Sequence, residues 1–209
     1  MLPNLLIALS VGIVLSTLPA SAREDASAVH VRIDQPGGAS EEVLRSIVHE
    51  LRRIWDPVGV TITSGRYAEP APPGRAVVSL RIVPDRFETE GRPVLGWVAT
   101  PTQPHDLPTV FVSKSGVQDL LTRTPFRGTL LIQRPRFMID QLTARAMGRV
   151  AAHELGHYLL SGHGDGGLMR ANYSAADLLA TSVTRFQIRA EDWAAARAEV
   201  SRLVEMQTR

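Results

Sequence analysis

Two histidines four residues apart with a glutamate between them, His153-Glu154-Leu155-Gly156-His157, are the residues of this chain most able to do chemistry. On a helix, residues four apart lie on one face, about 6 Å apart along the axis. Two imidazoles so placed can converge on one ion. Zinc accepts imidazole nitrogen at about 2.0–2.1 Å, and a catalytic zinc keeps three protein ligands and one open position. Glu154 lies on the neighbouring edge of the same helix, where its carboxylate can take a proton from water rather than bind the ion. A helix can also carry two histidines by accident. The chain has only six histidines, however, and three of them, His153, His157 and His163, fall within eleven residues. An accidental distribution would scatter them.

The longer string His153-Glu154-Leu155-Gly156-His157-Tyr158-Leu159-Leu160-Ser161-Gly162-His163 has the spacing H-E-x-x-H-x-x-x-x-x-H, and Gly167-Leu168-Met169-Arg170 follows it. It resembles the metzincin clan of zinc peptidases, which combines H-E-x-x-H-x-x-G-x-x-H with a downstream methionine turn. The short interval from histidine to methionine is most similar to the matrixin type. The resemblance implies Zn2+ held by His153, His157 and His163, Glu154 as general base, and Met169 as an apolar floor under the metal. It also implies a zincin-like fold: a twisted mixed sheet, two long helices, the methionine turn and a C-terminal helix. The match covers about residues 150 to 170. Leu160 stands where the clan has glycine, so Gly162 becomes the expected exit residue of the helix, since a left-handed backbone is cheap without a Cβ. Tyr173 sits four residues beyond Met169, where some members have a tyrosine two beyond.

Other ligand sets stay open on the residues alone. Asp165 is the alternative third ligand, although a Gly-Asp-Gly-Gly run gives it a turn role that needs no metal. Glu191 is the glutamate that a gluzincin arrangement would use. His105 with Asp106 reads as an exposed loop pair or a structural cation site. His30 and His49 read as ordinary strand and helix residues. Trp55 reads as core, and Trp97 as either core or the lining of a substrate cleft.

The elements that must position these residues follow from pattern. Val29 to Ile33 reads as a strand, ended by Gln35-Pro36-Gly37-Gly38. Ser40, with Glu41 and Glu42 behind it, opens a helix whose apolar face is Val43, Leu44, Ile47, Val48, Leu51, Ile54 and Trp55; Pro57 closes it. Strands are expected at Val58–Thr63, Val77–Val83 and Thr109–Ser113. Residues 84–108, with five prolines, read as irregular except for an apolar patch at Leu95–Ala99. Val117–Leu121 reads as a helical turn and residues 122–137 as loop. A helix is expected from about Asp140 to Leu160, and a last one from about Gln187 to Glu205. The order predicts one mixed α/β (α+β) domain. An edge strand at 109–113 or 95–99 is the expected holder of an extended substrate.

Composition narrows the partners. The chain has 209 residues, 44% of them hydrophobic and 21% charged, which suits one folded domain. Net charge is +2, and no basic run is interleaved with aromatics, which argues against nucleic acid. With no cysteine, disulfides, thiolate metal sites and a cysteine latency switch are all excluded. Leu5 to Leu18 is apolar and uncharged, and Ala20-Ser21-Ala22 offers small residues for cleavage, so residues 1–22 read as a signal peptide. The mature domain would be 23–209, secreted or periplasmic and free of the membrane after cleavage; an uncleaved N-terminal anchor is the alternative. The functional expectation is an exported zinc endopeptidase acting on protein or peptide. The rivals are a catalytically silent zinc-binding module and a zinc hydrolase of a non-peptide substrate.

Overall fold

A computed structural model describes residues 27–34, 39–89, 91–103, 106–126, 128–160 and 162–208. The signal segment read at 1–22, the turn at 35–38 and His105 lie outside the described residues. No described helix is long and apolar enough to cross a membrane.

Five strands form the main sheet: β1 (Ala28–Asp34), β2 (Thr61–Arg66), β3 (Ala76–Val83), β6 (Gly96–Ala99) and β7 (Thr109–Ser113), in the order β2-β1-β3-β7-β6. The first four are mutually parallel, and β6 runs antiparallel to β7. Strand β3 buries Ala76, Val78, Leu80 and Ile82, the alternation that a pleated strand demands. Two small hairpins, β4 (Phe87–Thr89) with β5 (Arg92–Val94) and β8 (Pro125–Phe126) with β9 (Thr129–Leu130), decorate it. This is the expected mixed α/β domain with a twisted mixed sheet.

Helix α1 (Glu41–Trp55) forms where its pattern puts it. The Ser40 side chain accepts a hydrogen bond from the Val43 N–H, and the buried face carries Ile47, Val48, Leu51, Ile54 and Trp55. Helix α2 (Lys114–Thr122) is capped by Ser113. Helix α3 (Arg136–Leu159), 24 residues long, is the central element; it packs against α1, α2, β6 and β7 and is buried without a break from Ala146 to Gly156. A short helix α4 (Ala175–Leu179) and a terminal helix α5 (Trp193–Gln207) complete the chain.

Several boundaries differ from the sequence reading. Pro57 lies in a 3-10 turn, Asp56–Val58, followed by a turn at Gly59, so the second strand begins at Thr61 rather than Val58. Val58 and Val60 are still core residues. The stretch 84–108 holds three short strands, and 122–137 a hairpin and the first turn of α3. The terminal helix starts at Trp193, after a 3-10 turn at Ala190–Asp192. The 109–113 segment is not an edge: β7 is hydrogen-bonded to β3 on one side and to β6 on the other. The 95–99 patch supplies the edge strand, β6.

Candidate metal centre

Helix α3 delivers His153 and His157 from its last two turns and then ends at Leu159. Leu160 is already extended, at φ −134° and ψ 158°, so the chain leaves the helix without a left-handed residue at that position, and leucine is tolerated there. The left-handed step comes at Gly162, φ +57°, and turns the backbone so that His163 comes back toward the helix. The Gly164 N–H donates to the Met169 carbonyl at 2.8 Å, closing the loop that carries His163 onto the methionine turn.

The result is a three-imidazole cluster. One ring nitrogen of each of His153, His157 and His163 lies within 4.8 Å of the others. Ring centroids are 4.8 Å apart for His153–His157, 4.7 Å for His157–His163 and 5.4 Å for His153–His163. His153 is buried, His157 half-buried and His163 exposed, so the cluster has a closed back and an open front. The Nδ1 of His153 is 2.7 Å from the Leu168 carbonyl, which can only accept. Nδ1 therefore carries the proton, and the Nε2 lone pair is free for an ion. Burial holds His153 below the ordinary histidine range, and burial with the two neighbouring histidines takes His157 down to about 4. Both are neutral at pH 7, the ligand form. Nitrogen donors in this number, with lone pairs converging and no thiolate, fit a divalent metal such as zinc.

Glu154 stands beside the cluster, 7% exposed, and burial pushes its carboxyl up to about 7. A cation next to it would favour the ionised form. A cleft of about 810 Å3 opens over the three histidines and Glu154, bounded by the Pro93–Val98 segment, Leu120, Val150 and Tyr173. Gly96 is what allows β6 to lie this close: a Cβ there would fall 2.8 Å from Glu154 Cγ and 2.7 Å from Val150 Cγ1. Met169 is buried, and a Cβ on Gly156 would fall 2.3 Å from its Sδ, so the sulfur packs against the helix between the two histidine positions. A larger cavity, about 1060 Å3, lies between α1 and β2, where His49, Arg45 and Glu41 line it. It holds none of the clustered histidines, and size alone does not locate the chemistry.

The remaining candidates are elsewhere. Asp165 is exposed and outside the cluster; Glu191 is exposed and 3.4 Å from Arg189. His30 is buried in β1 with Nδ1 3.0 Å from the Thr63 hydroxyl. Trp55 is fully buried. Trp97 lines the cleft and also stacks on Phe111, centroids 4.8 Å apart.

A supporting network was not visible in the sequence. The Tyr173 hydroxyl lies within hydrogen-bonding distance of the carbonyls of Gly167 (2.8 Å) and Leu168, the latter being the acceptor of His153. Arg170 covers the Tyr173 ring and pairs with Asp177 at 2.6 Å; Arg185 reaches the same carboxylate at 2.9 Å. Burial pushes the Asp177 carboxyl up, but hydrogen bonds from Ser174 and Arg170 outweigh it and hold it below its ordinary range. Arg149, one turn before His153 and fully buried, donates to Glu50 (3.2 Å) and to the carbonyls of Asp177 (2.7 Å) and Ser182 (3.1 Å). It ties α3 to both α1 and the segment after Met169. Two sequence signals, an arginine inside an apolar helical run and the Ser174-Ala175-Ala176-Asp177 capping box, mark the ends of this network without showing that they meet.

No family model matches the sequence, and no curated protein matches it either. Among solved structures, the chain is similar to archaemetzincin from Methanopyrus kandleri, with a TM-score of 0.50 over 83% of this chain and 96% of that one. Identity is 12%, so the likeness is one of fold: a mixed α/β sheet with helices arranged as in that protein.

Proposed function

We propose that the protein is an exported zinc-dependent endopeptidase, with His153, His157 and His163 holding the metal and Glu154 acting as general base. One observation carries the reading: three imidazoles converge within 4.8 Å beside a buried carboxyl, at the floor of an open cleft flanked by an edge strand. A silent metal site has no use for a carboxyl kept out of water, because such burial is costly unless the group is needed. The fold likeness to a protein named archaemetzincin, bearing the name of the clan that the motif resembles, is consistent with it.

The ion would supply Lewis-acid chemistry, acidifying water and polarising a carbonyl. The chain's own residues do the rest. The β6 edge offers backbone N–H and C=O groups to an extended peptide. Glu154 takes a proton from the attacking water and returns it to the departing amine, a role worth about 10²–10⁴ in rate. His153 is held in one tautomer by the Leu168 carbonyl, and Tyr173 buttresses that carbonyl.

The test is a panel of unrelated peptides and unfolded proteins incubated with zinc-loaded protein, with and without chelator, alongside Glu154→Gln. The expected result is cleavage of backbone amides that chelator abolishes and zinc restores, and a Glu154→Gln variant that keeps its metal but is slowed about 100-fold or more. Hydrolysis of esters alone would favour the non-peptide hydrolase. Full turnover by Glu154→Gln would remove Glu154 from the mechanism.

A further inference from the structure

A second cavity, of about 670 Å3, adjoins the cleft. Val98 and His157 line both spaces, which follow one another along β6: the cleft runs from Pro93 to Val98, and the second cavity from Val98 to Pro101 and beyond. Its far wall is the last part of α5, with Leu203 buried and Met206 exposed, and its near wall is Pro108 and Tyr158.

Both walls are anchored. The Gln207 side chain makes two hydrogen bonds with the backbone of Val77, at 2.7 and 2.8 Å, which fix the end of α5 to the sheet. The Tyr158 hydroxyl accepts from the Thr109 N–H at 3.1 Å and also bonds the Ala99 carbonyl, joining the metal helix to the ends of β6 and β7. The charged groups facing the cavity have partners of their own. Glu199 pairs with Arg202, and Asp106 accepts from the Thr102 and Gln103 backbone N–H groups at 3.2 and 3.0 Å. Val98, Pro101, Pro108, Leu203 and Met206 supply the apolar part of the wall, in a preformed space of the size that ligand sites have.

Strand β6 pairs with β7 on one side, and its other edge is unpaired among the described residues. A peptide laid along it would present every second side chain to one face, about 6.6–6.8 Å apart. Gly96 and Val98 share that face, toward α3, as the contact of Gly96 with Val150 and Glu154 requires. One side chain of such a peptide enters the cleft beside Val150, and another, farther along β6, reaches the second cavity. We propose that this cavity is a subsite for a large apolar side chain of the substrate, of leucine, methionine or phenylalanine size, on the far side of His157 from Val150. The inference deepens the peptidase reading and rests on it.

Two variants at Met206 test it, because a side chain 48% exposed can be changed without disturbing the core. Met206→Trp fills the cavity and Met206→Ala opens it. Peptide series carrying Ala, Leu or Phe at each position around a cleaved bond are compared by kcat/KM. The same peptides, dye-labelled, are compared by anisotropy on zinc-loaded Glu154→Gln, whose turnover is expected to be about 100-fold slower or more. The wild type is expected to favour Leu or Phe over Ala by about tenfold or more at one position on that side of the bond. Met206→Trp should erase that ratio, and Met206→Ala should tilt it toward Phe. A preference that ignores both variants, or no apolar preference in either readout, overturns the subsite. Cleavage without a Met206-sensitive preference leaves the peptidase reading standing and removes only the subsite. Met206-sensitive binding without any cleavage does the reverse.

Discussion

Of the three clustered histidines, His163 is the one whose position depends on a loop rather than a helix. His153 and His157 are four apart on α3, and nothing but the helix is needed to align them. His163 is returned by the Gly162 turn and the Gly164–Met169 hydrogen bond, and it remains exposed. Asp165, two residues on, points to no shared centre with the histidines. His163→Ala should therefore lower zinc affinity by at least about tenfold, since even outer contacts of a metal site are worth 10–100-fold. Asp165→Ala should leave it within error. Competition titration with a chromogenic chelator reads both, and a reversed ranking would mean a two-histidine, one-aspartate site.

At the scale of elements, the helix that carries His153 and His157 is held from behind by a buried ion pair. Arg149 and Glu50 are 0% and 4% exposed at the side chain and 3.2 Å apart, and Arg149 also satisfies carbonyls of the segment after the methionine turn. Removing one partner strands the other in a low-dielectric interior. Glu50→Ala should cost about 3–5 kcal/mol in a denaturant titration, whereas replacing both by apolar residues of like size should cost less. A single variant within 0.5 kcal/mol of wild type would show the pair to be idle, since that is about the scatter of neutral surface changes.

That pair also marks the limit of what the chain discloses before folding. Helix α1 and the motif helix are legible because their signals are local: a cap, an apolar stripe, three histidines within eleven residues. Glu50 and Arg149 are 99 positions apart, and no local rule joins them. Strands β4 and β5 are three residues long each, and α4 is five residues long; all are shorter than the windows on which periodicity can act. Strand β2 was displaced because Val58 and Val60 are buried by a turn rather than by a strand. Leu160, at the position where the resembled motif has glycine, is explained only by the backbone, which is extended there and asks for no glycine.

For the molecule as a whole, the export proposal rests on the sequence, the apolar run Leu5 to Leu18 followed by the small residues Ala20-Ser21-Ala22. Protein recovered from periplasm or medium should begin at Arg23 by intact mass; retention of Met1 on membrane-bound protein would favour an anchor. Protein purified without chelator should carry about one zinc per chain by elemental analysis, since three converging imidazoles with one open position hold a single ion. His153→Ala and His157→Ala should each lower that content under identical handling. A metal content near zero that added zinc does not raise would contradict the account.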